Sequence, residues 1–208
     1  MRSVTENACH ELLLRLAGRL PDHQLWRFRD WLGADSLRTL AQALPLTLLR
    51  ERVGLTPGEF GILVDCLVPA GVDPDSLTAI DEIAEPVSSP YRFTTDTPSH
   101  LVLGDQTAVV LGAMIGSRED VTSVRSCWRV PPSDEHLAKR VLLVDGTARP
   151  AQLASQLQRV LVALGELDPS VEVMPPNIEL PLYHRAALDA AEALPGIPRA
   201  AVGQLAAV

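Results

Sequence analysis

One lysine, Lys139, stands in 208 residues, so nearly all of the basic charge is arginine, and lysine-based Schiff-base or phosphate chemistry has almost no residue to work with. Neither a G-x-x-x-x-G-K-[ST] nor a G-x-G-x-x-G run occurs, which disfavours nucleotide hydrolysis and dinucleotide binding. Aromatics are scarce at 4%, too few for the stacking platforms on which single-stranded nucleic acid is held. The three cysteines, Cys9, Cys66 and Cys127, are far apart in sequence and form no C-x-x-C pair, so neither a disulfide framework nor a zinc site is expected, and a reducing compartment is. No H-E-x-x-H motif brings together His10, His23, His100, His136 or His184; no metal or cofactor is expected. Apolar runs are short and broken by charge. Leu12-Leu13-Leu14 is flanked by Glu11 and Arg15, unlike a signal-peptide core, and no run is long enough to cross a bilayer, which points to a cytoplasmic protein.

Basic charge is also missing locally. From Gly54 to Tyr91 the chain carries Glu59, Asp65, Asp73, Asp75, Asp81, Glu82 and Glu85 and no Lys or Arg, which accounts for most of the net charge of −8. Such a segment suits a surface that meets a basic partner, and it also suits an ordinary solvated face. With 47% apolar and 21% charged residues, the chain has the composition of a globular protein large enough to bury a core without staples. The abundance of Arg, Ala, Leu and Pro reads as the coding bias of a GC-rich genome, and a bacterial source is expected.

The pattern divides in two. Residues 1–86 read as a bundle of short helices, acidic in its second half. Leu12, Leu13, Leu16 and Leu20 share one helical face; Pro21 opens a second helix with Leu25, Phe28 and Leu32, stopped by Gly33. Asp35 or Ser36 caps a third, which Pro45 should break or kink before it resumes over Leu46 to Val53. Thr56-Pro57-Gly58-Glu59 combines an N-cap, a first-turn proline and a capping-box glutamate, and predicts a helix from Pro57 to about Val68 that buries Phe60, Leu63, Val64 and Leu67. Asp73-Pro74 repeats that logic for a helix to about Ala84.

Glu85 to Pro90, with two prolines and two serines, is the expected linker. Residues 87–208 then read as an α/β or α+β domain of roughly five strands with two or three helices. The strands are His100–Leu103 and Thr107–Leu111 as a hairpin about Gly104, the alternating Val121–Val130, the apolar Val141–Val144, and Val171–Met174. The helices run from Ser133 over Asp134–Lys139, from Pro150 to Leu164, and from Pro181 to Leu194.

Two short resemblances bear on function. Leu55-Thr56-Pro57-Gly58-Glu59-Phe60 with Leu63 and Leu67 resembles the first helix of winged helix-turn-helix response-regulator domains. That implies a DNA-binding regulator with its recognition helix near Asp75 to Glu85, a stretch with acids and no bases, where contact with phosphates needs cations. Val141-Leu142-Leu143-Val144-Asp145-Gly146-Thr147 resembles the strand and loop of haloacid dehalogenase-like phosphotransferases, but the position of the nucleophilic aspartate holds Leu143.

Three functional readings follow. The first is a non-catalytic protein–protein interaction protein, an adaptor, secretion-associated factor or immunity-type partner to an Arg-rich protein. A second copy of the chain stays open as a partner, and membrane and nucleic acid are disfavoured. Its contact residues are Trp26, Arg27 and Trp31, chosen because Trp and Arg are enriched at interface hot spots; Asp75, Asp81 and Glu82 of the acidic segment; Trp128 on the alternating strand; and Tyr183 and His184 in the polar cluster Glu179 to Arg185. The second is a small enzyme whose site gathers Cys127, Asp145 and His184, since a thiol nucleophile needs a neighbouring imidazole. The third is the DNA-binding regulator.

Overall fold

The computed structural model describes residues 2–85, 88–97, 106–116, 118–146, 149–176 and 178–194. Within them are eight α-helices and a five-stranded mixed sheet: α1 (Arg2–Arg15), α2 (Asp22–Gly33), α3 (Leu37–Glu51), α4 (Pro57–Leu67), α5 (Pro74–Leu77), β1 (Arg92–Thr94), α6 (Gln106–Ile115), β2 (Val121–Val130), β3 (Lys139–Gly146), α7 (Pro150–Ala163), β4 (Ser170–Met174), α8 (Leu182–Asp189) and β5 (Glu192–Ala193). The helices concentrate in the N-terminal half and the sheet in the C-terminal half, a mixed α+β fold.

Leucine spacing builds the helical core. Leu12 and Leu13 of α1, with Leu16 in the turn that follows, meet Leu25, Phe28 and Leu32 of α2, Leu40, Leu44 and Leu48 of α3, and Leu63 and Leu67 of α4, all buried. Of the break or kink expected at Pro45, a break does not occur: α3 is one continuous helix with Pro45 inside it. Leu40, Ala41, Leu44 and Leu48 form an apolar stripe across the proline, and its burial offsets the missing hydrogen bond. Cys9 and Cys66 lie side by side in this core as free thiols, a neighbourhood that their sequence separation hides.

The start of α4 follows the sequence closely. Glu59 N–H donates to Thr56 Oγ1 at 3.3 Å, and Thr56 N–H donates to Glu59 Oε2 at 3.0 Å. Leu63 and Leu67 are buried as expected, whereas Phe60 and Val64 are half-buried. The next helix is much shorter than the spacing suggests. Asp73 caps α5 as expected, but α5 ends at Leu77, and the chain doubles back so that Leu55 N–H donates to Asp81 O at 2.8 Å and Ile83 N–H to Leu55 O at 2.9 Å. These bonds make a short parallel bridge between Leu55 and Glu82, satisfying backbone groups that a helix to Ala84 would have satisfied internally.

The sheet runs β1-β2-β3-β4, with β5 sharing the β2 edge beyond β1. β2 pairs antiparallel with β1, β3 and β5, while β3 and β4 are parallel and joined through α7, as parallel neighbours must be joined by a long crossover. Leu142, Val144, Val171 and Val173 face α6 and α7, and Cys127, Val141, Leu143 and Met174 face α8.

Three expectations fail here. Thr107–Leu111 is the first part of α6, because Ala108, Leu111 and Ile115 recur at helical spacing and pack on the sheet; a four-residue apolar run does not by itself distinguish helix from strand. His100–Leu103 and Gly104 lie outside the described residues, as do Pro86 and Val87 of the expected linker. Asp134, rather than Ser133, caps the turn that follows β2, a 3-10 turn over Glu135–Leu137, and Lys139 already belongs to β3. The last helix stops at Asp189, since the β2 edge is open beyond β1 and Glu192–Ala193 add to it as β5, with Leu194 N–H donating to Val124 O at 3.0 Å.

The helices meet the sheet along α7 and the outer edge of β4. Gly33 permits the closest approach: a Cβ there would stand 2.4 Å from Ser155 Cβ and 2.6 Å from Ala151 O. Around it Asp30 accepts from Ser155 at 2.9 Å and from Arg159 at 2.7 Å, and Gln158 donates to Trp26 O at 3.2 Å.

Candidate functional site

β4 is an edge strand, and its outward carbonyls would be open to another chain if nothing covered them. Arg29 of α2 donates to Val171 O at 3.0 Å, and His10 Nε2 of α1 donates to Val173 O at 2.7 Å. The same guanidinium grips Glu172 with both prongs, at 2.9 and 2.5 Å, while His184 of α8 donates to Glu172 from the other side at 2.8 Å. All four side chains are buried. Burial works to raise the Glu172 carboxyl, but the Arg29 guanidinium and the His184 ring overcome it and hold the group well below the usual carboxylate range. Burial pushes His10 down to about 4, so its ring is neutral and serves as a donor.

A second ionic cluster ties the start of α2 to the sheet. Asp22 accepts both prongs of Arg129 on β2 and the ammonium of Lys139 on β3 at 2.8 Å. Burial acts to raise Asp22, and Arg129 and Lys139 bring it down below its ordinary value. Arg129 also donates to Tyr183 Oη at 3.3 Å and lies over the Tyr91 ring at 4.5 Å.

This chemistry occupies the residues proposed for catalysis. His184 is committed to Glu172, and Asp145 accepts from Arg125 at 2.7 Å and from Ser123. Cys127 is buried among Val141, Leu143, Met174 and Ala187, where loss of solvent pushes its thiol up to about 12 against the opposing pull of Arg129. A thiol so placed stays protonated at neutral pH and is a poor nucleophile. Leu143, at the position where a phosphotransferase would hold its aspartate, is a fully buried core residue of β3. Asp75 to Glu85, expected as a recognition helix on the regulator reading, contains only the end of α5 and the return strand beside Leu55.

The contact residues fall into three groups. Trp128, Tyr183 and His184 are buried; Trp128 carries the Arg140 guanidinium 5.3 Å from its ring, and β2 is covered along Cys127–Val130 rather than half open. Trp26 and Trp31 are half-buried, Trp31 against Phe28 at 5.9 Å between ring centroids, and Arg27 is exposed. Asp75, Asp81 and Glu82 are exposed. So are Asp65 and Glu85, and among the described residues none of these five carboxylates pairs with a cation; Glu59 alone of its segment does, with Arg19 at 2.7 Å.

Glu179 to Arg185 does gather at a concavity. A cavity of about 340 Å³ opens between the ends of α1 and α3 and the start of α8, lined by Glu179, Leu180, Pro181, Leu182, Tyr183 and Arg185 together with Arg15, Arg19 and Arg52. The three N-terminal arginines escaped the sequence reading because nothing in their spacing marks them; chain folding alone brings them to α8.

Among the described residues no group of His, Cys, Asp and Glu is placed to hold a metal ion, and no helix is long and apolar enough to cross a membrane. No protein-family model, curated protein or solved structure matches the chain.

Proposed function

We propose that this is a non-catalytic interaction protein of the cytoplasm whose acidic edge, formed by Asp65, Asp75, Asp81, Glu82 and Glu85, receives a basic, Arg-rich surface of another protein. The observation that carries this reading is the contrast in how carboxylates are used. Asp22, Asp30, Asp145 and Glu172 are each paired with an arginine of the same chain, whereas Asp65, Asp75, Asp81, Glu82 and Glu85 are exposed without a cation partner among the described residues. Unpaired surface charge of one sign contributes little to stability and much to the steering of an oppositely charged partner. The commitment of Cys127, Asp145 and His184 to internal packing and pairing favours binding over catalysis.

The test is capture from the native host with wild-type protein and with the Asp75→Lys/Asp81→Lys/Glu82→Lys variant. Asp73 is left intact because it caps α5. The expected result is a basic protein retained by the wild type, released by salt and lost with the variant. Identical proteins retained by both would overturn the reading.

A further inference from the structure

We propose that the cavity between α1, α3 and α8 binds a small organic anion, a carboxylate or phosphate ester carrying an apolar body. Its volume of about 340 Å³ lies in the range of small-molecule sites, roughly 300 to 1,000 Å³. The charges at its wall do not cancel. Arg15 is held by Glu11 at 2.8 Å, Arg19 by Glu59 at 2.7 Å and by Gly54 O, and Glu51 accepts from Gln24 at 3.1 Å. Arg52 and Arg185 are left without a carboxylate partner among the described residues, and of the carboxylates at the wall only Glu179 is uncommitted there.

The position of Arg185 is informative. It stands in the first turn of α8, where the helix dipole disfavours a cation, and Pro181 ahead of it provides no side-chain cap. The Arg185 N–H donates to Pro181 O at 3.1 Å, and the amides of Leu182, Tyr183 and His184 ahead of it have no acceptor within the helix. An anionic group bound at this wall would offset the charge of the two guanidiniums. Arginine is well suited to this, since its planar fork matches carboxylate and phosphate oxygens.

The rest of the wall calls for more than an inorganic ion. Ala17, Val53, Pro90, Leu180 and the Tyr183 ring supply apolar surface. Gly18, at φ +77°, lets that ring come close: a Cβ there would be 2.7 Å from it. An apolar body displaces water from this surface, and the anionic group fixes its orientation.

Titration calorimetry on the full chain tests the assignment, with octanoate and phenyl phosphate as probes and benzyl alcohol and inorganic phosphate as incomplete mimics. At least one organic anion should bind saturably at one site, with each mimic weaker by about tenfold or more, the cost of losing one good interaction. Arg52→Asn with Arg185→Gln should weaken binding by a similar factor, asparagine being chosen because Arg52 has φ +52°. Arg52→Lys with Arg185→Lys should restore part of it, the charge without the fork, and Arg92→Gln, at an exposed pair with Glu135, should change nothing. Should the double variant fail to fold, the two single variants are read by the same criterion. The Asp75→Lys/Asp81→Lys/Glu82→Lys protein should bind the probes as wild type does, which separates this site from the acidic edge. Absence of saturable binding by both organic anions, equal binding of the neutral mimic, or indifference to removal of the guanidinium charges would overturn the proposal.

Discussion

Arg29 and Glu172 form a two-pronged ion pair with side chains 2% and 0% exposed, joining the second helix to the edge strand of the sheet. Its position explains much of the molecule. The guanidinium neutralises Glu172, takes the carbonyl of Val171, and stands beside the His10 bond to Val173, so α1 and α2 close an edge that would otherwise be open to strand addition.

Removal of one partner should be far worse than removal of both. Arg29→Met leaves the Glu172 carboxylate buried with His184 and the Ser170 hydroxyl but no guanidinium, and should cost about 3–5 kcal/mol; Arg29→Met with Glu172→Leu should recover most of that loss. Denaturant unfolding measures both. Because the pair joins the helices to the sheet, we expect one cooperative transition by far-UV circular dichroism and tryptophan fluorescence in the wild type. A double variant as unstable as the single would argue against an uncompensated charge as the cause.

Acid should destabilise the fold in two steps. His10 is lowered to about 4 from an ordinary 6.5, so between those values the unfolded chain takes up a proton that the native state refuses, and stability falls as pH falls through that window. The contribution approaches about 3 kcal/mol at its lower end. Glu172 is depressed, so its contribution is full above the ordinary carboxylate range and declines below it as the unfolded chain is protonated first. His10→Gln, which keeps a donor for Val173 O, should flatten the slope between pH 6.5 and 4 without altering the lower step. Urea midpoints across pH provide the check.

Thr56→Ala removes half of the capping box of α4 and should cost about 1 kcal/mol. A change indistinguishable from zero would mean that the Thr56 hydroxyl is not holding the helix start.

The difference between Thr56 and Glu172 shows what a sequence reveals. The start of α4 was legible because cap, proline and glutamate lie within one turn. The role of Glu172 was not, since its partner Arg29 is 143 residues away and neither has a local signature. The exposure of Asp75, Asp81 and Glu82 was anticipated because a run of charge along one segment is costly to bury without partners. The buried ends of Trp128, Tyr183 and His184 were misjudged because alternation in β2 and a polar helix start in α8 describe local pattern, and the covering elements come from elsewhere in the chain. The α6 segment failed for a different reason. The four apolar residues of Ala108–Leu111 fit either period, and only the later Ile115 completes the helical one.

The proposed function turns on whether the five unpaired carboxylates steer a partner. The most direct measurement is the association rate of the captured basic protein across ionic strength, with wild type and with Asp75→Lys/Asp81→Lys/Glu82→Lys. Exposed charges are screened over about 10 Å at 0.1 M salt, so the wild-type rate should fall steeply as salt rises, and the variant should associate slowly with little or reversed salt dependence. Equal rates and equal salt dependence for the two proteins would contradict the account.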